Sequence, residues 1–176
     1  MDDLTRRDVL KLGAVATVAA SISVPEALAQ PAVNTFFTPA EFTLVDELSE
    51  LIIPADEHSP GARAAKVAAY IDTRLAEAWD PADQKTWRDG LALVDTLSRN
   101  ANGKPFMQAA PDERVAVLTR MAQHEDKPGT PEEVFFAALK SRVVHAYYTS
   151  EIGIKQDLEY KGNTYLAEFV GIDVSK

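Results

Sequence analysis

Three histidines are the side chains in this sequence best suited to acid–base or metal chemistry, and they lie far apart in the chain. His58 and His124 each stand beside two acidic residues, whereas His145 falls within a predicted helix. A zinc site would require three or four such ligands to converge. Acidic loops are solvated without any metal, and a histidine near the C-terminal end of a helix is stabilised by the helix dipole. The pattern favours structural roles for all three and leaves a metal-dependent enzyme built on His58 as an alternative.

The residue types exclude several other chemistries. The chain has no cysteine, which rules out thiol nucleophiles, c-type haem attachment and iron–sulfur ligation. It contains neither a glycine-rich phosphate loop nor a G-x-S-x-G nucleophile motif. We therefore predict no catalytic residue, no metal and no cofactor in this chain. The net charge of −9 also argues against nucleic acid as a partner, because a basic surface supplies most of the affinity for phosphate backbones.

The aromatic residues form two groups. Trp79 and Trp87 flank a predicted helix boundary, where core packing is the favoured role and stacking on a sugar, as in a sugar-binding module, is the alternative. The second group lies near the C-terminus, where aromatic side chains outnumber what a small bundle can bury. Aromatic residues are enriched in protein interfaces, so a partner interface is predicted, with folding back onto the core as the alternative. The predicted interface residues are Tyr147, Tyr148, Gly153, Tyr160, Tyr165 and Phe169.

The N-terminus resembles a twin-arginine export signal. Arg6 and Arg7 are followed by a weakly apolar stretch of about 13 residues, shorter than the roughly 20 residues of a transmembrane helix. Ala27 and Ala29 then supply a small-x-small cleavage site. The residues that carry the pattern are Thr5-Arg6-Arg7-Asp8-Val9-Leu10-Lys11. We expect residues 1–29 to be a signal peptide read by the twin-arginine translocase, residues 30–176 to form the working domain, and the protein to be periplasmic.

Five helices are predicted to position these residues. Thr38 and Thr130 each precede a proline and stand three residues before a glutamate, which is the pattern of a capped helix start. Apolar residues then recur at helical spacing along each segment. The predicted helices run from 38 to 53, through 67–78, from 81 to 102, from 111 to 123 and from 130 to 148. The predicted fold is all-α: a small bundle of about five helices with an irregular, aromatic-rich C-terminal arm after Thr149.

The predicted inward faces are also read from this spacing. Val115 and Leu118 face inward on the fourth helix, and a stripe of five residues faces inward on the fifth. That stripe is Phe135, Ala138, Leu139, Arg142 and Ala146.

Two segments together resemble the gluconate 2-dehydrogenase subunit 3 family. The first contains a capped helix ending in Ile-Pro and then a Pro-Gly-Ala turn, and the second contains a paired tyrosine followed by glycines. The segments are Phe37-Thr38-Pro39-Ala40-Glu41-Phe42, Leu51-Ile52-Ile53-Pro54, Ser59-Pro60-Gly61-Ala62, Tyr70-Ile71-Asp72, Phe135-Phe136-Ala137-Ala138-Leu139-Lys140, Tyr147-Tyr148-Thr149-Ser150-Glu151-Ile152-Gly153 and Tyr160-Lys161-Gly162-Asn163. The second segment is similar to the variant associated with dehydrogenases of the sugar C3 hydroxyl.

This resemblance implies a role without catalysis. Members of the family are cofactor-free small subunits that pair with a large FAD-containing subunit of the glucose-methanol-choline oxidoreductase type. That subunit oxidises a sugar or sugar acid and passes electrons to a cytochrome c or the respiratory chain. It commonly lacks an export signal and crosses the membrane with the small subunit. The resemblance therefore predicts a large FAD-containing dehydrogenase subunit and a cytochrome c subunit as partners, and an export-escort function for this chain.

Overall fold

A computed structural model describes residues 35–162, which form six α-helices and two shorter helical turns. The helices are α1 Pro39–Ile52, α2 Gly61–Ala64, α3 Val67–Ala76, α4 Pro81–Asn102, α5 Pro111–Met121 and α6 Pro131–Tyr148. A 3₁₀ turn, Phe106–Gln108, precedes α5, and a π-helical turn, Gly153–Asp157, follows α6. Residues 35–162 contain no strand, and the prediction of an all-α bundle is confirmed.

The helices begin where the capping pattern places them. The Thr38 hydroxyl accepts from the Glu41 N–H at 3.3 Å, and the Glu41 carboxylate accepts from the Thr38 N–H at 2.9 Å. The same reciprocal pair joins Thr130 to Glu133 at the start of α6. Each pair satisfies two N–H groups that have no partner inside the helix, which explains why the local sequence is enough to predict these starts.

The second predicted helix is present as α3, and a short helix, α2, precedes it in the segment that contains the predicted Pro-Gly-Ala turn. Lys66, between α2 and α3, has a left-handed backbone with φ of 56°. A non-glycine residue pays a steric cost in this conformation, so the surrounding structure must hold it there. This backbone conformation separates α2 from α3, so the helical structure begins earlier than predicted. The C-terminal arm also differs from the prediction over Gly153–Asp157, since this stretch is helical rather than irregular.

Helix α6 is at the centre of the bundle, packed against α1, α3, α4 and α5. Phe135, Leu139 and Ala146 are buried as predicted, whereas Ala138 is exposed. The other buried apolar residues of α6 are Phe136, Val143 and Tyr147. A helix with neighbours on several sides buries more than one stripe, so periodicity alone gives only part of its core face.

The core is continuous along the bundle. Val115 of α5 was expected to face inward, but it is half exposed, and Val117 lies in the core instead. The fully enclosed apolar residues include Val45, Leu48, Ile71, Leu75, Val94, Phe106, Met121, Leu139, Val143 and Tyr147. None of the helices within residues 35–162 is both long enough and apolar enough to cross a bilayer.

Candidate partner-binding surface

Tyr147 lies in the core and not on an interface. Its side chain is fully buried, and its hydroxyl is 2.7 Å from the Ser59 hydroxyl. Ser59 is also buried and accepts from the Gly61 N–H at 3.2 Å. The prediction that Tyr147 contacts a partner is therefore wrong, because the paired hydroxyls satisfy each other inside the protein. This hydrogen bond joins the two sequence segments that carry the family resemblance.

The loop between α1 and α2 is held rigidly. The Asp56 carboxylate accepts from the His58 N–H at 2.8 Å and from the Ser59 N–H at 2.7 Å, and these bonds hold the pKa of Asp56 below its usual range. Two backbone bonds, Asp56 N–H to Ser59 O and Ala62 N–H to Ile53 O, close the loop. His58 is exposed on this loop, and Asp56 serves the loop backbone.

Gly61 allows the loop to approach α1. Its φ of +83° suits glycine, and a Cβ atom there would lie 2.7 Å from the Glu50 carboxylate and 2.8 Å from the Ala55 nitrogen. The same carboxylate accepts from the Ala55 N–H and from the Arg63 N–H at the start of α2. The Pro-Gly-Ala motif is therefore a turn that fixes the loop against α1.

Gly153 permits a second close approach at the end of α6. A Cβ atom at this position would lie 2.1 Å from the Tyr147 carbonyl oxygen. The Gly153 N–H donates to the Ser150 hydroxyl at 3.0 Å, and the Gly153 carbonyl accepts from the Leu158 N–H at 2.9 Å. Gly153 is buried, so it does not itself belong to an exposed interface as predicted. Single π-helical turns of this kind occur frequently at functional sites.

Tyr148 is an exposed aromatic side chain with a fixed orientation. It is 40% exposed, and its ring packs edge-on against the Tyr147 ring with centroids 5.1 Å apart. The Asp157 carboxylate in the π-helical turn interacts with the Tyr148 hydroxyl and raises the pKa of Tyr148. A large side chain that is already ordered loses little entropy on binding, so Tyr148 fits the role of a binding anchor.

Further exposed side chains extend this region. The Tyr70 ring of α3 lies 6.2 Å, centroid to centroid, from the His145 ring, which is one helical turn before Tyr148. Leu158 and Tyr160, which follow the π-helical turn, are each more than half exposed. We call this region the aromatic surface, and its members are Tyr70, His145, Tyr148, Leu158 and Tyr160. The predicted interface residues Tyr165 and Phe169, and the predicted export residues Arg6, Arg7, Ala27 and Ala29, lie outside the described residues.

The N-terminal end of α6 contains the most strongly shifted carboxyl group of the described chain. The His124 imidazole lies 2.6 Å from the Glu133 carboxylate, and the Gly129 N–H donates to it at 2.7 Å. These contacts lower the pKa of Glu133 to about 2. Glu133 is also the capping residue for Thr130, so its environment is explained by helix capping.

The three histidines do not converge. His58 is on the loop before α2, His124 pairs with Glu133, and His145 stacks on Tyr70. Within residues 35–162, no three His, Asp or Glu side chains are grouped closely enough to hold a metal ion. The geometry of these residues therefore gives no support to the metal-dependent alternative.

The two tryptophans have different environments. Trp87 is buried, with its ring 5.8 Å from Phe37 and 5.7 Å from Phe135, centroid to centroid. Trp79 is 99% exposed in the turn before α4. Core packing is confirmed for Trp87 and wrong for Trp79. The pair does not form a common face for stacking a sugar ring.

Two open grooves lie elsewhere on the bundle. One, of about 280 Å³, is lined mainly by apolar residues of α1, α5 and α6, with the Glu125–Lys140 ion pair at its rim. The other, of about 350 Å³, lies between α1 and α4 beside the Glu41–Arg88 ion pair. Small-molecule sites usually enclose their ligand and direct several polar groups at it, which these open grooves do not do.

Sequence reasoning missed the residues that support the aromatic surface. Ser59 was recognised only as part of a turn motif, although it holds Tyr147 in place. Asp157, whose carboxylate interacts with the Tyr148 hydroxyl, belongs to a segment predicted to be irregular. The spacing of Tyr148, Gly153 and Asp157 is a local signal, but interpreting it requires knowing that a π-helical turn forms there.

The fold is a small all-α bundle that exposes the aromatic surface at one end of α6. The family model for gluconate 2-dehydrogenase subunit 3 matches residues 39–164, and the chain belongs to this family. The family is a small subunit of a dehydrogenase complex. No curated protein and no solved structure matches the chain significantly.

Proposed function

We propose that this chain is the non-catalytic small subunit and export escort of a periplasmic FAD-dependent dehydrogenase. The large subunit is of the glucose-methanol-choline type, holds the FAD and oxidises a sugar or sugar acid at the C3 hydroxyl. A cytochrome c subunit receives the electrons. The observation that carries this proposal is membership in a family of small dehydrogenase subunits.

The export signal supports the escort role. The twin-arginine route carries proteins that are already folded, often because a cofactor was inserted before export. The sequence pattern around Arg6 and Arg7 fits this route, yet the chain contains no recognised cofactor motif. A flavoprotein partner would need to cross the membrane folded, so the signal on this chain would serve the partner.

The aromatic surface supports a docking role. Tyr148 is held by Tyr147 and Asp157, and the loop from Ile53 to Ser59 is closed by its own hydrogen bonds. Ordered aromatic side chains bring large contact area at low entropic cost. We assign the docking of the large subunit to the aromatic surface.

Co-export of the two subunits tests the proposal. The chain would be expressed with its large subunit, with both Arg6 and Arg7 changed to Lys. We expect periplasmic dehydrogenase activity and periplasmic flavin to be lost, with both subunits retained in the cytoplasm. The control variant changes Arg74 and Arg99 to Lys, since both are exposed arginines of the folded domain. Normal periplasmic activity in the signal variant would overturn the escort role.

Purification of the complex distinguishes the alternatives. A docking subunit should co-purify with a flavin-containing protein from periplasm. An autonomous metal-dependent enzyme would instead retain activity as the isolated chain and lose it with a chelator. A sugar-binding module would show a sugar-dependent change in Trp79 fluorescence without any partner.

A further inference from the structure

The segment before α1 is tied to α3 by one buried carboxylate. The Asp72 Oδ1 atom accepts from the Phe36 N–H at 2.8 Å and from the Phe37 N–H at 2.7 Å. Asp72 is only 6% exposed. Burying a carboxylate is costly unless it is hydrogen-bonded, and hydrogen bonds to a charged acceptor are stronger than neutral ones. A charged group is therefore committed here to holding two backbone N–H groups.

The same segment is tied to α4 by an arginine. The Arg88 guanidinium donates to the Phe36 carbonyl at 2.6 Å and lies over the Phe36 ring, 4.3 Å from its centroid. Arg88 also pairs with Glu41 in the first turn of α1. It thus joins residue 36, α1 and α4 at one point.

Phe37 completes this attachment. It is 6% exposed and packs against the buried Trp87 ring. The ends of most domains are loosely attached unless specific contacts hold them. Here the two residues just before the Thr38 cap contact two other helices. We call Phe37, Asp72 and Arg88 the N-terminal anchor.

The N-terminal anchor and the aromatic surface share helix α3, which contains both Asp72 and Tyr70. Asp72 is two residues from Tyr70, whose ring contacts His145. Residues 36 and 37 are held by α3 and α4, so a pull on the N-terminal segment acts on these helices as well as on α1. The predicted export signal ends seven residues before Phe36 in the sequence.

From this arrangement we infer that the N-terminal anchor keeps residues 35–37 and α1 attached to the bundle while the export signal is pulled during transport. The inference rests on the proposed function, in which the signal of this chain draws a bound partner across the membrane. A chain that is pulled at one end detaches first where its contacts are weakest. The N-terminal anchor prevents α1 from detaching before the pull reaches the docked partner.

Single-molecule pulling on the full chain tests the inference without any partner. The chain has no cysteine, so Q30C and S141C would give two unique attachment points, before the anchor and on α6. We expect the wild-type anchor to hold until the bundle unfolds as a unit. In D72N, residues 35–37 should detach in a separate early step. At fixed force, the first opening event should come about ten-fold sooner or more than in the wild type, since a charge-assisted hydrogen bond is weakened.

The controls separate anchoring from general stability. D89N changes an exposed aspartate of α4 and should leave the detachment rate unchanged. R88Q should accelerate detachment like D72N, and thermal melting of both variants shows whether the bundle stays folded. Detachment of residues 35–37 at the same rate in wild type, D72N and R88Q would overturn the inference. If the wild-type chain did not carry the partner into the periplasm, the proposed function would be contradicted, but the inference about the N-terminal anchor would stand.

Discussion

The two ends of α6 are both built from polar contacts, but only the C-terminal end leaves aromatic side chains in solvent. At the N-terminal end, His124, Glu133 and Thr130 satisfy one another, and the helix cap is complete. At the C-terminal end, the buried Ser59–Tyr147 hydrogen bond supports the exposed Tyr148 ring. The first network completes a helix cap, and the second supports an aromatic side chain that faces solvent.

This difference shows that a strongly shifted pKa and a binding surface need not coincide. Shifted pKa values mark functional sites in many proteins, but structural ion pairs produce them as well. Glu133 has its pKa lowered by a helix cap and a histidine, and these contacts use its hydrogen-bonding capacity. The exposed aromatic residues at the other end are the stronger indication of function.

The largest expected effect comes from filling the space beside Gly153. In Gly153→Ala the added methyl group would meet the Tyr147 carbonyl, at a cost of about 3 kcal/mol, the upper part of the range for overpacking a filled site. The π-helical turn should rearrange while the bundle remains folded, and the Tyr148–Asp157 contact should be lost. Ultraviolet titration of tyrosinate should then show the pKa of Tyr148 lowered towards its ordinary value. An unchanged titration would show that the turn does not orient Tyr148.

Removing the exposed anchor should weaken partner binding while leaving the bundle stable. We expect Tyr148→Ala to cost about 2 kcal/mol, or roughly 30-fold in Kd for the large subunit, as for a typical interface hot spot. Trp79→Ala is the matched control, because it removes an exposed aromatic side chain outside the aromatic surface. Binding would be measured by calorimetry with the purified large subunit. If both variants lost the same affinity for the large subunit, this end of α6 would be no more important for binding than the rest of the protein surface.

The buried hydroxyl pair should contribute a smaller amount. Tyr147→Phe removes the buried Ser59–Tyr147 hydrogen bond, and it should lower the free energy of unfolding by about 1.5 kcal/mol. Urea denaturation measures this change, with Tyr70→Phe as the control at an exposed position. A change no larger than that of the control would show that the hydroxyl pair does not stabilise this end of α6.

The last effect concerns the other end of α6 and appears only in acid. The pKa of Glu133 is about 2 in the folded protein, below its ordinary value of 4.5, so its stabilising contribution is complete above pH 4.5. That contribution should be lost as the pH falls from 4.5 towards 2. Glu133→Gln should remove this part of the pH dependence, whereas Glu132→Gln should retain it. The urea midpoint would be measured across this pH range. If it fell with pH as steeply in both variants as in the wild type, the assignment to Glu133 would be contradicted.

Sequence reasoning succeeded where the deciding contacts are local. Thr38 and Thr130 were predicted as helix caps, and each bonds to a glutamate three residues away. Gly61 and Gly153 belong to quoted motifs, but their close approaches to Glu50 and Tyr147 could not be read from the motifs. A glycine in a motif indicates a tight place without saying which atom is close.

Sequence reasoning failed where the orientation of a side chain depends on residues that are distant in the sequence. Tyr147 and Tyr148 are adjacent aromatic residues, yet one is fully buried and the other is 40% exposed. Trp79 and Trp87 divide in the same way. The side that faces the core depends on which helices pack alongside, and neither residue type nor spacing contains that information.

By itself, the amino-acid sequence determined the helical class, the capped starts of the helices and the family. Each of these depends on side chains within a few residues of one another or on a motif read in order. Only the tertiary structure decided that Ser59 meets Tyr147, that Asp72 holds Phe36 and Phe37, and that Tyr148 points outward. Those contacts join residues far apart in the chain, so they exist only once the helices have packed together.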